Sequence, residues 1–183
     1  MKDRRETLIG WLNDAYAMEK GIIPVLENHV KDAEKFPEIQ TRLRAHLEQT
    51  RRQADQVNML VESLGGSTSA VKTTMGTIGG FFAGLSTGAA PDELVKNALA
   101  DYSTEHFEIA SYRALIAGAQ ALGETEVVRV CEQILREEEE MARWLESNLP
   151  MLVNLYLGAE APVGAGAGFS GSGTPSRGGT TRF

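Results

Sequence analysis

Four stretches of this chain repeat apolar residues at steps of three and four, and that spacing commits it to long amphipathic helices. From about Lys2 to Lys31, the residues Leu8, Leu12, Ala15, Ile22 and Leu26 trace one face. Pro24 lies within this pattern and is expected to kink the helix or remove one of its hydrogen bonds. Phe36-Pro37 breaks the chain, and Pro37 suits the first turn of a second helix reaching Leu64. That helix carries Ile39, Leu43, Leu47, Ala54, Val57, Val61 and Leu64 on one side, and Gly65-Gly66 stops it. A third helix begins at Ala90-Pro91-Asp92-Glu93 and runs to Leu122. Gly123 separates it from a fourth, which runs from Glu124 to about Asn148, with Pro150 as a breaker or kink and an apolar extension over Met151–Leu157.

The link between the second and third helices decides the topology. It spans Ser67 to about Ala90, is rich in Gly, Ser and Thr, and carries a candidate short helix near Thr74–Leu85. Antiparallel neighbours need only a few residues between them. A link this long can travel the length of a bundle, which lets the second and third helices lie parallel. The expectation is an all-α, ferritin-like four-helix bundle over residues 1–157, built from two antiparallel hairpins joined by one crossover. Residues 158–183 form a Gly/Ser-rich tail that cannot build a core of its own.

Composition narrows the function classes. The formal charge of -7 argues against coating nucleic acid, which calls for a basic face. No apolar stretch approaches a membrane span, and the opening Met1-Lys2-Asp3-Arg4-Arg5-Glu6 runs straight into an amphipathic pattern. A cytoplasmic protein with neither nucleic-acid nor membrane partners is therefore expected. Cys131 is the single cysteine, so an internal disulfide is excluded, and its place on an apolar face reads as core.

The chemistry lies in what interrupts the apolar faces. At about 100° per residue, the first stripe needs an apolar residue at position 19 and has Glu19. The third runs Leu94, Ala98, Tyr102, Glu105, Ile109, Tyr112, and the fourth Val127, Cys131, Ile134, Glu138, Ala142, Leu145. Three glutamates thus sit near the middle of three buried stripes, where one layer of a bundle can hold them. Each alone also reads as a boundary residue reaching solvent. Converging carboxylates repel one another and call for protons or a cation, and carboxylate oxygen with an imidazole suits iron or manganese. Glu108, three residues after Glu105, flanks the same face and can bridge or complete the site. On the second helix His46, Thr50 and Gln53 point inward with Gln49 on the flank, while Glu48 points away. His46 is the ligand candidate there, although an imidazole hydrogen-bonded within the bundle fits the pattern equally well. Glu137 is a flanking candidate, His29 reads as a surface residue, His106 as a surface residue or a support behind the ligands, and Tyr112 as core packing with a partnered hydroxyl ahead of a donor to the ligands or a radical site.

The segments Leu12-Asn13-Asp14-Ala15-Tyr16-Ala17-Met18-Glu19-Lys20, His46-Leu47-Glu48-Gln49-Thr50 to Gln53, and Glu105-His106-Phe107-Glu108-Ile109-Ala110-Ser111-Tyr112 resemble the YciE/YciF-like branch of the ferritin-like superfamily. The resemblance covers roughly Glu6 to Leu149 and leaves the tail unmatched. It implies a ferritin-like bundle, often a homodimer, among bacterial stress-associated proteins. Diiron relatives carry glutamates over onto Glu19, Glu105, Glu108 and Glu138. This chain departs from their pattern at Gln49, at Arg51 three residues after Glu48, and at Met141 three residues after Glu138, where a histidine is expected. The metal set expected is Glu19, His46, Glu105, Glu108 and Glu138 around two iron or manganese ions, with Glu105 or Glu108 bridging, Glu19, Glu138 and His46 terminal, and a diiron-type oxidase or peroxidase activity as the chemistry. The competing expectation is a non-enzymatic helical scaffold or cargo protein with a degenerate metal site, acting through oligomerisation and through a tail, ending Arg182-Phe183, that docks on a protein partner or shell.

Overall fold

The computed structural model describes residues 3–68 and 92–158. Four helices account for almost all of them: α1 (Arg4–Asp32), α2 (Pro37–Ser63), α3 (Glu93–Leu122) and α4 (Thr125–Leu157). No strand occurs among the described residues. The short helix expected near Thr74–Leu85 and the tail from residue 159 lie outside them.

Helix ends follow local chemistry. Asp3 caps α1 by accepting a hydrogen bond from the Arg5 backbone N–H at 3.1 Å, and Pro37 opens α2 in the first turn, where a missing N–H costs nothing. The end of α2 is a left-handed glycine cap, with Gly65 at φ 80°. Gly65 N–H donates to the Glu62 carbonyl and Gly66 N–H to that of Val61, both at 2.9 Å, which satisfies two of the last carbonyls. Gly123, at φ 74°, repeats this device between α3 and α4.

Pro24 and Pro150 both lie inside helices that continue past them. Of the break or kink expected at Pro150, the break does not occur, and α4 runs on to Leu157. Packing outweighs the lost hydrogen bond: Leu152 is fully buried just beyond the proline, and Pro150 itself faces outward.

Helix α1 packs along α2, α3 along α4, and the two hairpins meet through α1 against α3 and α2 against α4. The apolar stripes of α1, α2 and α4 are buried throughout, as their spacing predicts. Three polar pairs tie α1 to α3: Glu19 with Tyr112, His29 with Asp101, and Asp32 with Asn97. Partner numbers on α3 fall as those on α1 rise, so these helices are antiparallel and α2 runs parallel to α3. The resulting connectivity is that of the ferritin-like bundle.

His29 corrects the sequence reading. It is buried, 3 % exposed, and its Nδ1 lies 2.8 Å from Asp101 Oδ1. Burial by itself lowers an imidazole's pKa, but the hydrogen bond and charge of Asp101, with Asp32 and Glu93 nearby, outweigh it and hold His29 above 6.5. A histidine raised in the folded state contributes stability that is fully present below the unfolded value and lost as pH rises through the folded one. Urea unfolding of the wild type and His29→Gln should therefore show a midpoint difference that is largest in mild acid and shrinks above pH 6.5. A difference independent of pH would show that the pair contributes no charge interaction.

Candidate metal centre

Each helix delivers its polar residues to one level of the bundle. α1 brings Glu19, α2 brings His46 and Gln53, α3 brings Glu105, Glu108 and Tyr112, and α4 brings Glu138. All seven are buried, with Glu19 and Glu138 at 0 % exposure and His46, Glu105 and Glu108 at 1 %. The five residues expected from the sequence as ligands are thus brought together. Glu108 turns fully inward, because it and Glu105 stand one turn apart on the same inner face.

The arrangement resolves into two groups of donor atoms. His46, Glu105 and Glu138 form one, and Glu19, Glu108 and Glu138 the other; within each, one donor atom per residue lies within 4.8 Å of the others. Glu138, expected from the sequence to be terminal, belongs to both, whereas Glu105 and Glu108, one of them expected to bridge, belong to one group each. His46 Nε2 stands 2.9 Å from Glu105 Oε1 without the alignment of a hydrogen bond. Other contacts anchor the carboxylates from behind. Tyr112 donates its hydroxyl to Glu19 Oε1 at 2.5 Å, and Gln53 Nε2 donates to Glu138 Oε1 at 2.5 Å and to Glu137 Oε2 at 2.9 Å. In each anchored carboxylate one oxygen is held and the other is not. Oε2 of Glu19, Glu105, Glu108 and Glu138 are all buried without a hydrogen-bond partner, as are both ring nitrogens of His46.

Such orphans are costly. Removing an ionised carboxylate from water costs on the order of several kcal/mol even after relaxation, which favours the protonated form. Burial first, and then repulsion from neighbouring carboxylates, raises Glu19, Glu108 and Glu138 well above the ordinary range. Glu105 is raised by burial as well, partly offset by a hydrogen bond with Glu138. Burial and the charge of Glu19 push the Tyr112 phenol up, so it stays a donor. Cys131 is buried and pushed up to about 12 by desolvation, an inert core thiol.

Residues left outside are equally informative. Glu48 points to solvent and pairs with Arg51, which also reaches Glu27 at 2.6 Å. Gln49 is half-buried, and Met141, where a second imidazole was looked for, is an entirely apolar core residue. His106 is exposed against the edge of Tyr102. Sequence reasoning missed Asp101, which is buried where Tyr102 was placed on the stripe. Two adjacent positions of α3 straddle its inner face, and the polar one turned in to meet His29.

A family model described as a domain of unknown function, DUF892, matches residues 3–158. The chain belongs to that family. Among solved structures it is similar to a protein of Xanthomonas campestris pv. campestris, at 36 % identity over 85 % of this chain and 97 % of that one, with a TM-score of 0.72. It is similar to the Escherichia coli stress protein YciF at 25 % identity, covering 84 % of this chain and 99 % of the other, TM-score 0.68. The bacterioferritin of Desulfovibrio desulfuricans, a structure described by its diiron site, shares the fold at 22 % identity, covering 92 % and 96 %, TM-score 0.67. The YciF-like, ferritin-like resemblance read from the sequence therefore holds.

A carboxyl raised by burial binds more protons folded than unfolded, so its contribution to stability falls as pH climbs above about 4.5. Glu108, raised from every side, should destabilise the metal-free fold at neutral pH. Glu108→Gln, stripped of metal, should melt higher than wild type at pH 7, by ~2–4 °C for each kcal/mol recovered. Thermal unfolding followed by circular dichroism checks this; a lower melting temperature would mean that the carboxylate is a structural acceptor.

Proposed function

We propose that this chain is a stress-associated, ferritin-like metal-binding protein whose bundle interior holds a dinuclear iron or manganese carboxylate centre for handling iron or oxidants. The observation that carries the reading is a set of buried donor atoms without hydrogen-bond partners, four carboxylate oxygens and the imidazole nitrogens, on five residues whose donors gather within 4.8 Å in two groups. Buried polar atoms normally find partners, and a cluster of one sign needs a counter-charge. Four carboxylates carry four negative charges when ionised, which two divalent cations neutralise. The donor chemistry, oxygen with one imidazole, fits iron or manganese. The likeness to a stress protein at 25 % identity supports the setting.

In this reading Glu19, Glu108, Glu105 and His46 are ligands of one position each, and Glu138 is shared between positions. Bound iron would supply electrons to dioxygen or peroxide. The chain's own part is to position and to exclude water. Tyr112 and Gln53 each fix one oxygen of a carboxylate and leave its other oxygen free, which selects the orientation a cation needs. Leu12, Met18, Ile134 and Met141, fully buried, exclude water from the bundle interior. The proposal includes a homo-oligomer: Trp11 and Phe107, each about half exposed, flank a groove between α1 and α3 that a second copy would cover. No helix among the described residues is long and apolar enough to cross a membrane.

Elemental analysis of protein purified without chelator tests this. About two iron or manganese ions per chain are expected, falling to background in the Glu19→Ala/Glu138→Ala double variant. Absence of metal even after anaerobic ferrous loading would remove the reading.

A further inference from the structure

The two donor groups are not equivalent. One contains His46 nitrogen with oxygens of Glu105 and Glu138; the other contains only oxygen, from Glu19, Glu108 and Glu138. Of the chain's three histidines, only His46 reaches the site, since His29 is committed to Asp101 and His106 faces solvent. One turn after Glu138, the place for a second imidazole is filled by the thioether of Met141 at 0 % exposure. The all-oxygen group is further weakened as a donor, because the Tyr112 hydroxyl already draws on Glu19 Oε1. Both groups contain atoms of residues more than nine-tenths buried that have no hydrogen-bond partner: His46 Nε2 and Glu105 Oε2 in one, Glu19 Oε2 and Glu108 Oε2 in the other.

We propose that the centre is two unequal cation positions: His46, Glu105 and Glu138 select a borderline ion such as ferrous iron or zinc, and Glu19, Glu108 and Glu138 select a harder one, manganese. This rests on the metal-centre reading above and goes beyond it by assigning ion class to position. Imidazole discriminates strongly in favour of iron and zinc over manganese, whereas carboxylate oxygen suits manganese and magnesium. The mixed pair is therefore the preferred occupancy when both ion classes are present. Electrostatics agrees with it: an ion at the His46 position leaves two of the four negative charges uncompensated, and an all-carboxylate position binds chiefly by charge.

Competition on the metal-free, full-length protein tests this without activity. One equivalent of zinc is added, then manganese, with manganese followed by electron paramagnetic resonance and zinc by elemental analysis after desalting. Expected is one tightly held zinc and one bound manganese per chain, with a second equivalent of zinc binding at least about tenfold more weakly than the first. Glu108→Gln should weaken manganese by at least about tenfold and leave the first zinc unchanged, while His46→Gln should weaken zinc and spare manganese. Circular dichroism confirms that both variants fold, and the competition on the unaltered protein stands without them. Two equivalents of zinc binding with equal affinity, or both substitutions weakening both ions alike, would overturn the inequality while leaving a metal centre in place. Failure of manganese or of zinc alone to bind would overturn this inference, and failure of both ions would remove the metal-centre reading and this inference with it.

Discussion

Four carboxylates share a volume from which water is excluded, and the rest of the molecule can be understood as the means of holding them there. Left ionised and alone they would repel one another in a medium that screens charge poorly; burial and repulsion favour their protonated forms, two hydrogen-bond donors each hold one oxygen, and the second oxygen of every carboxylate is left without a partner. A bundle tuned for stability alone would fill this layer with leucine. Retaining four glutamates and an imidazole in an otherwise apolar interior sets stability against a function that needs them.

The surrounding architecture serves that layer. Long helices let a stripe be apolar at both ends and polar in the middle, so the core above and below closes the site while its centre stays polar. The polar pairs between α1 and α3 fix the relative height of the helices. Register matters here because a shift of one turn moves a ligand by about 5.4 Å, enough to dissolve either donor group. Glu19–Tyr112 serves both purposes, orienting a ligand and linking the two helices that come from different hairpins.

Much of this was legible in the sequence. Steps of three and four located all four helices and missed only the continuation of α4 from Asn148 to Leu157 by more than about three residues, and the interruptions at Glu19, Glu105 and Glu138 marked the site because glutamate is out of place on a buried stripe. Glu108 and His46 were legible as residues one turn or one helix removed from those interruptions. His29 was readable too, since one more step of three from Leu26 reaches it, but its proximity to a helix end made solvent the default. Asp101 was not: adjacent to Tyr102 at the edge of a wide inner face, its burial depends on meeting His29 across the bundle, a contact between residues 72 positions apart. The continuation of α4 through Pro150 was hidden for a similar reason, because it depends on Leu152 finding a place in the core. Local pattern encodes which face turns inward; it does not encode which partner waits there.

Anomalous X-ray scattering from crystals of the manganese- or iron-loaded protein, measured at the metal edge, tests the central claim most directly. The account predicts two peaks per chain on either side of Glu138, one against His46 and Glu105 and the other against Glu19 and Glu108. A metal bound elsewhere, or a bundle interior in which ordered waters satisfy those carboxylate oxygens under saturating metal, would contradict it.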